Sequence, residues 1–379
     1  MTGPDDDRLH RVALSALGEP GDPRLLDSVT RLGAAVVHEL LLSGHTIEEL
    51  QTDPDARRSA ADPEQTLARA ADRGLRFVVP GDPEWPVQLD DLATAAPLQR
   101  RGGVPIGLWV RGPARLDQLV GSVAVVGSRS ATTYGADVAA DLASAIAATG
   151  RPIVSGAAFG IDQAGHRGAL AGGGSTVAVL ACGADRFYPT AHRELIEYIA
   201  AHGAVVSEAL PGWSPTQLRF LARNRVIAAL TVGTVVVEAA ARSGALNTAN
   251  WATRLNRHVL GVPGPVTSAP SEGVHHLIRS QAAVLVTSGA DVLEVVGAAG
   301  EHLVAEPRGP VRSRDQLTTR QRQVLDAVPV VQAAPEASIA RTAGLGLAEA
   351  RTVLAALAER HLAERAPGGG WRLAALARE

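Results

Sequence analysis

Val123-Ala124-Val125-Val126-Gly127-Ser128-Arg129 decides the fold. A β-branched apolar run breaks into Gly-Ser-Arg, and a helical pattern opens at Thr133. Strand, tight loop and helix in that order point backbone N–H groups at an anion. Gly127 allows close approach, Ser128 offers a hydroxyl, and Arg129 brings charge. One unit later Ile153-Val154-Ser155-Gly156-Ala157-Ala158-Phe159-Gly160-Ile161-Asp162 repeats the pattern. Either loop alone is a weak signal, because many α/β proteins carry glycines after strands.

Strands are expected at Phe77–Val79, Leu108–Val110, Val123–Val126, Ile153–Ser155, Val177–Ala181, Val205–Ser207, Val235–Glu238, His258–Val262 and Val284–Val286. Helical patterns such as Thr133–Thr149 and Asn247–Asn256 separate most of the later ones. Apolar strands joined by crossover helices predict an α/β fold, an extended Rossmann-like, doubly wound, mostly parallel sheet over 75–297. Ligands of such sheets bind outside the carboxyl ends of the strands.

Upstream, 1–72 reads as a small helical domain. Leu9, Val12, Ala13 and Leu17 keep helical spacing, as do Val36, Val37, Leu40 and Leu41, with breaks at Asp53-Pro54-Asp55 and Asp62-Pro63. Residues 298–317 lack periodicity and read as a linker. Over 318–379 three helical patterns precede Leu362–Arg365, a Gly368-Gly369-Gly370 turn and Trp371–Leu373, the outline of a winged helix-turn-helix. Residues 315–379 hold 8 Arg and 7 acids, which favours a protein contact or a weak DNA role over sequence-specific readout.

Phe220-Leu221-Ala222-Arg223-Asn224-Arg225 opens a further apolar helix. Arg offers a planar fork of donors to phosphate, Phe stacks on an unpaired base, and Asn reads a base edge or sugar. The plainer alternative is Arg snorkelling and Phe in the core. Together the two loops and this helix predict a single-stranded DNA site with Gly127, Ser128, Arg129, Ser155, Gly156, Gly160, Phe220, Arg223, Asn224 and Arg225. In this reading Arg129, Arg223 and Arg225 converge on one pocket.

From about Asp82 to Val296 the chain resembles the bacterial DNA-processing protein A family (DprA, also called Smf). The shared features are Gly127-Ser128-Arg129 with Tyr134-Gly135, Ser155-Gly156 with Gly160-Ile161-Asp162, His166–Leu170, Tyr188-Pro189 and Ser207-Glu208. Phe220 with Arg223-Asn224-Arg225, Glu238-Ala239, Ser243–Leu246 and Val262-Pro263-Gly264 complete them. The chain departs from the family pattern at Leu221 and Ala222, where Pro and a basic residue are frequent, and at Ala181 and His192, where Gly and Asn are usual. The resemblance implies a cytoplasmic homodimer that binds single-stranded DNA and helps load the recombinase RecA in natural transformation. It also implies a SAM-like N-terminal module and a winged-helix C-terminal one. It places self-association and the RecA contact late in the Rossmann-like domain, around Trp251, Leu255, His275 and Ile278. Trp251 and Leu255 share a helix face, which also suits packing in the monomer core.

Composition narrows the alternatives. Every one of the 36 positive residues is Arg, which excludes a Walker A lysine and a Schiff-base lysine. The net charge of −3 is unusual for a nucleic-acid binder, but the acidic excess lies at 1–119, while 120–300 balances to +1. One Cys excludes an intramolecular disulfide and a multi-cysteine metal site, and Cys182 is expected to be buried. No His/Asp/Glu group has metal-ligand spacing, so neither metal nor cofactor is expected. The N-terminus shows no signal-peptide pattern, and no apolar run suits a membrane span. A rival reading is a nucleotide hydrolase of the lysine-decarboxylase-like group, echoed partially by Val232-Gly233-Thr234 with Glu238. That motif's leading Pro-Gly-Gly is absent, and no Gly-x-Gly-x-x-Gly follows Val126 for a dinucleotide enzyme. Asp162 is expected to favour a helix dipole, and His166 to lie at the surface or touch a ligand.

Overall fold

The computed structural model describes residues 4–43, 62–304 and 313–375. The Asp53-Pro54-Asp55 break and the middle of the 298–317 linker lie outside the described residues. Two compact units divide the chain, Met1–Val304 and Ala305–Glu379.

In the first unit, helices α1 (Pro4–Leu17), α2 (Pro23–Leu32), α3 (Ala34–Leu42) and α4 (Pro63–Ala71) precede strands β1 (Leu75–Val78) and β2 (Leu108–Arg111). Strands and helices then alternate through β3 (Val123–Val126), α5 (Thr133–Ala147), β4 (Ile153–Ser155), α6 (Ile161–Ala171), β5 (Thr176–Leu180) and α7 (Arg193–His202). The series continues with β6 (Ala204–Ser207), α8 (Gln217–Leu230), β7 (Gly233–Val236), α9 (Gly244–Arg254), β8 (His258–Gly261), α10 (Glu272–Arg279), β9 (Val284–Leu285) and α11 (Gly289–Val296). Each expected strand coincides with one of these to within about two residues.

Among the described residues the strands form one sheet in the order β1-β2-β6-β5-β4-β3-β7-β8-β9. From β6 to β9 all neighbours are parallel, while β2 runs antiparallel to both β1 and β6. The winding reverses at β3, which has β4 on one side and β7 on the other. That reversal opens a crevice at the carboxyl ends of the strands.

The period-two alternation of β3 explains the layers. Ala124 and Val126 join Val226, Ile227 and Trp251 of α8 and α9 on one face. Val123 and Val125 join Leu142, Ile146 and Ile161 of α5 and α6 on the other. Val12, Ala13 and Leu17 of α1 share a core with Phe77, Trp109 and Leu180, so the N-terminal helices are packed onto the sheet. Side-chain caps start the helices that flank the crevice: Thr132 accepts from Gly135 N–H, Thr216 from Arg219 N–H, and Ser243 from Ala245 N–H.

The second unit holds α12 (Thr319–Ala327), α13 (Glu336–Ala343) and α14 (Leu347–Glu359), followed by an antiparallel pair, β10 (Ala363–Arg365) and β11 (Trp371–Leu373). Val324, Ile339, Leu354, Leu357 and Trp371 form its core. No helix among the described residues is long and apolar enough to cross a membrane.

One expectation is corrected here. Trp251 and Leu255 belong to the core between α9 and the sheet, with relative exposures of 0% and 6%. Their shared helix face is the one that β7 and β8 cover, so neither side chain is available to a partner. Trp251→Ala is expected to cost about 3–5 kcal/mol in urea unfolding, the range for a large side chain removed from a packed interior.

Candidate functional site

The crevice holds a cavity of about 1140 Å³. Val126, Gly127, Ser128 and Arg129 form one wall after β3, Ala158 and Asp162 a second after β4, and Phe220, Arg223 and Asn224 of α8 a third. Arg242, Ser243 and Asn247 close it after β7, opposite Leu98 and Gln99. Chain segments far apart in sequence meet because each follows a parallel strand on the same sheet edge.

Phe220 is half-buried, with the Arg129 guanidinium 4.6 Å from its ring centroid and that of Arg223 at 5.8 Å. Arg129 is exposed and pairs with no carboxylate among the described residues. Arg242, also exposed, makes no ion pair or hydrogen bond among the described residues. Arg223 is different. Its relative exposure is only 8%, and among the described residues its guanidinium makes a single hydrogen bond, Nη1 to the Val179 carbonyl at 3.0 Å, with no partner for Nε. Burial lowers its pKa, while the Asp162 charge opposes that through space without an ion pair. Burial likewise pushes the Asp162 carboxyl up, against the pull of Arg223 and the N–H groups of Ala158 and Gly156. A buried guanidinium with most of its donors unused is an incomplete site.

Glycines make room for this arrangement. A Cβ on Gly156 would overlap the Arg223 guanidinium. Gly160 has φ +75° and ψ −122°, a region closed to L side chains, and a Cβ there would meet the Ser128 carbonyl. Asn224 donates from Nδ2 to Asn247 Oδ1 at 3.2 Å and to the Gly244 carbonyl at 3.4 Å. Asn247 donates in turn to Gln99 Oε1 at 2.9 Å. This relay fixes the Asn224 amide and leaves its oxygen without a protein partner.

Gly127, Ser128, Arg129, Phe220, Arg223 and Asn224 therefore meet at the cavity, and other expected site residues do not. Arg225 is fully buried and pointed away from it. Its Nη1 and Nη2 donate to the two oxygens of Glu208 at 2.6 and 2.7 Å, and its Nε to the carbonyls of Gly102 and Gly103. Residues two apart on a helix face nearly opposite ways, so Arg223 and Arg225 cannot share a pocket. Ser155 is buried and donates to the Val125 carbonyl at 2.6 Å. Some of the loop amides are committed internally. Ser128 N–H donates to the Glu238 carbonyl, Ser130 N–H to Ser128 Oγ, and Gly156 N–H to Asp162.

Glu238 is 2% exposed and accepts from Thr132 N and Oγ1 at 2.9 and 2.6 Å, so it holds the start of α5 and does not line the cavity. His166 is fully buried, contrary to the surface or ligand role expected for it. Thr176 Oγ1 donates to the Ile153 carbonyl, so it accepts from His166 Nδ1–H, leaving Nε2 as a buried unprotonated nitrogen. His275 bonds the Gly264 carbonyl through Nε2, and Ile278 packs partly on the core. Cys182 is buried, and burial pushes its thiol up to about 11.

The sequence pattern of the DNA recombination-mediator protein A family matches residues 76–297. The chain belongs to this family. It is a family of DNA-binding proteins, not of enzymes. A Mycobacterium tuberculosis protein named for DNA processing, DprA, is 44% identical over 366 residues, covering 95% of this chain and 92% of that protein. The DprA of Streptococcus pneumoniae has a solved structure that matches with TM-score 0.60 and 34% identity, over 76% of this chain and 96% of that one. A Helicobacter pylori DprA structure, described for its single-stranded DNA binding mode, matches with TM-score 0.51 and 25% identity, over 59% of this chain and 97% of that one.

Two outcomes follow from the buried groups. Arg225→Ala and Glu208→Ala are each expected to destabilise the chain by about 3–5 kcal/mol, with the double variant costing less than the sum, in a denaturant double-mutant cycle. His166 has its pKa lowered to about 3 by burial, then by Arg223 and His192. The unfolded chain therefore takes up a proton near pH 6.5 that the folded chain refuses. Stability should fall as pH drops from about 6.5 toward 3, with a slope of up to about 1.4 kcal/mol per pH unit from this residue. Unfolding of His166→Asn across that range should show a correspondingly shallower slope.

Proposed function

We propose that the chain binds single-stranded DNA in the crevice and mediates its transfer to RecA during DNA uptake, natural transformation and recombination. The observation that carries this reading is Arg223, a buried guanidinium on the cavity wall with one hydrogen bond. A phosphate would complete its donor set, and Arg129 and Arg242 would add charge at the mouth. Phe220 would stack a base, and the Asn224 oxygen would accept from a base or sugar. The H. pylori relative's binding mode supports the same choice of ligand.

The reading needs no metal or cofactor and assigns the protein to the cytoplasm, away from membranes. It divides the chain into a SAM-like helical module at 1–72, the DNA-binding Rossmann-like domain at 75–297, a linker at 298–317 and a winged helix at 318–379. Self-association would use His275 and Ile278 beside the open β9 edge, where Val284 and Leu285 are about half exposed. For the C-terminal unit we favour a protein partner. Glu336 accepts from Arg351 Nε at 2.6 Å and Arg365 Nη2 at 3.2 Å, which commits two of that unit's arginines.

Fluorescence anisotropy with labelled oligothymidylate tests the proposal. Arg129→Ala, Arg223→Ala and Phe220→Ala should each weaken binding, and the two Arg variants should flatten the salt dependence by roughly one phosphate's worth. Duplex of the same length should bind more weakly. Unchanged affinity in all three variants would remove the assignment.

A further inference from the structure

We infer that the DNA path continues from the cavity across Tyr188 and Phe159, two rings that form a stacking track beside Phe220. The inference rests on the single-stranded DNA reading above and extends it from a pocket to a path. Only 3% of the chain is aromatic. Of the exposed rings, Phe159 adjoins cavity-lining Ala158, and Tyr188 stands against cavity-lining Phe220. Phe159 is 47% exposed and Tyr188 42% exposed.

Their positions follow the sheet. The neighbouring strands β4, β5 and β6 lead at the carboxyl edge into Phe159, Tyr188 and Phe220. Phe220 reaches back toward the loop after β3, 4.6 Å from the Arg129 guanidinium, and so joins the rings to the charge at the cavity. The Tyr188 and Phe220 ring centroids are 5.8 Å apart. Phe159 is held edge-on by His192 at 4.5 Å. His192 is itself buried and tied to the Ala157 carbonyl at 2.9 Å, which keeps the ring support in place. Ala158, next to Phe159, lines the cavity.

Rigid rings that keep an exposed face suit bases of any sequence, because every base has a π-face. A folded peptide or a small anion would gain little from such a row. Single-stranded DNA, whose bases are unpaired, fits it, and the exposed Arg129 at one end supplies phosphate charge.

The test is affinity against length, for oligothymidylates from about 3 to about 12 nucleotides. Unsubstituted chain, Phe159→Ala, Tyr188→Ala, the double variant, Tyr188→Phe and Phe220→Ala are compared. Both rings are exposed, so the variants should fold, which a thermal melt checks. The double variant should bind the shortest oligomer like the unsubstituted chain and the longest roughly tenfold more weakly. Tyr188→Phe should match the unsubstituted chain, since it keeps the ring. Equal affinities at every length would overturn the track, and so would a loss of the same size at every length, which would place the rings inside the pocket. If the unsubstituted chain bound no oligomer, both the track and the reading beneath it would fall. Loss in Phe220→Ala with no effect of the other two would remove the track alone.

Discussion

The buried pair between Arg225 and Glu208 is the constraint that organises the site. Glu208 follows β6 and Arg225 lies in the middle of α8, so the pair clamps the helix to the strand that precedes it. The same guanidinium reaches the carbonyls of Gly102 and Gly103, and Glu208 also accepts from Gly21 N–H. Three separate segments are thereby fixed against one helix. A charge so deeply buried is tolerated only with its partners in place, which makes the register of α8 nearly invariant. Because α8 cannot rotate, Phe220, Arg223 and Asn224 are held at the cavity on the face opposite Arg225.

The fold was largely legible, and the reason is specific. Parallel strands buried on both faces read as continuous apolar runs rich in Val, and Val123–Val126 and Val177–Leu180 do so without a polar interruption. The Gly-rich breaks after them mark where the sheet edge lies. The site was half legible. Phe220, Arg223 and Asn224 sit three and four residues apart, the spacing of one helix face, and they do meet. Arg225 breaks that spacing, a signal already present in the sequence that its charge obscured. Its partner Glu208 lies 17 residues upstream on a different element, a pairing that no local pattern announces. Trp251 and Leu255 show the converse limit. A shared face establishes that two side chains look the same way, and only the packing of β7 and β8 decides what they look at. His166 reads as a polar residue one turn into a helix, yet its bond to Thr176 across the layer takes it into the interior.

A chain with a net charge of −3 that handles a polyanion depends on which arginines are left uncommitted. Many are neutralised locally: Arg8 by Asp82, Arg76 by Glu84, Arg219 by Glu19 and Arg257 by Asp91. Arg129 and Arg242 have no such partner among the described residues, and both line the cavity. They give the crevice a local favourable field, screened within about 10 Å at ordinary salt. Long-range steering is weak in such a design, and selectivity shifts to the contacts themselves. Duplex DNA presents phosphates but hides its bases, so it would satisfy the arginines and waste the rings. Single-stranded DNA satisfies both. The rings beside the cavity, its two uncommitted arginines and the underused donors of Arg223 thus favour the same ligand on independent grounds: stacking, charge and hydrogen-bond satisfaction.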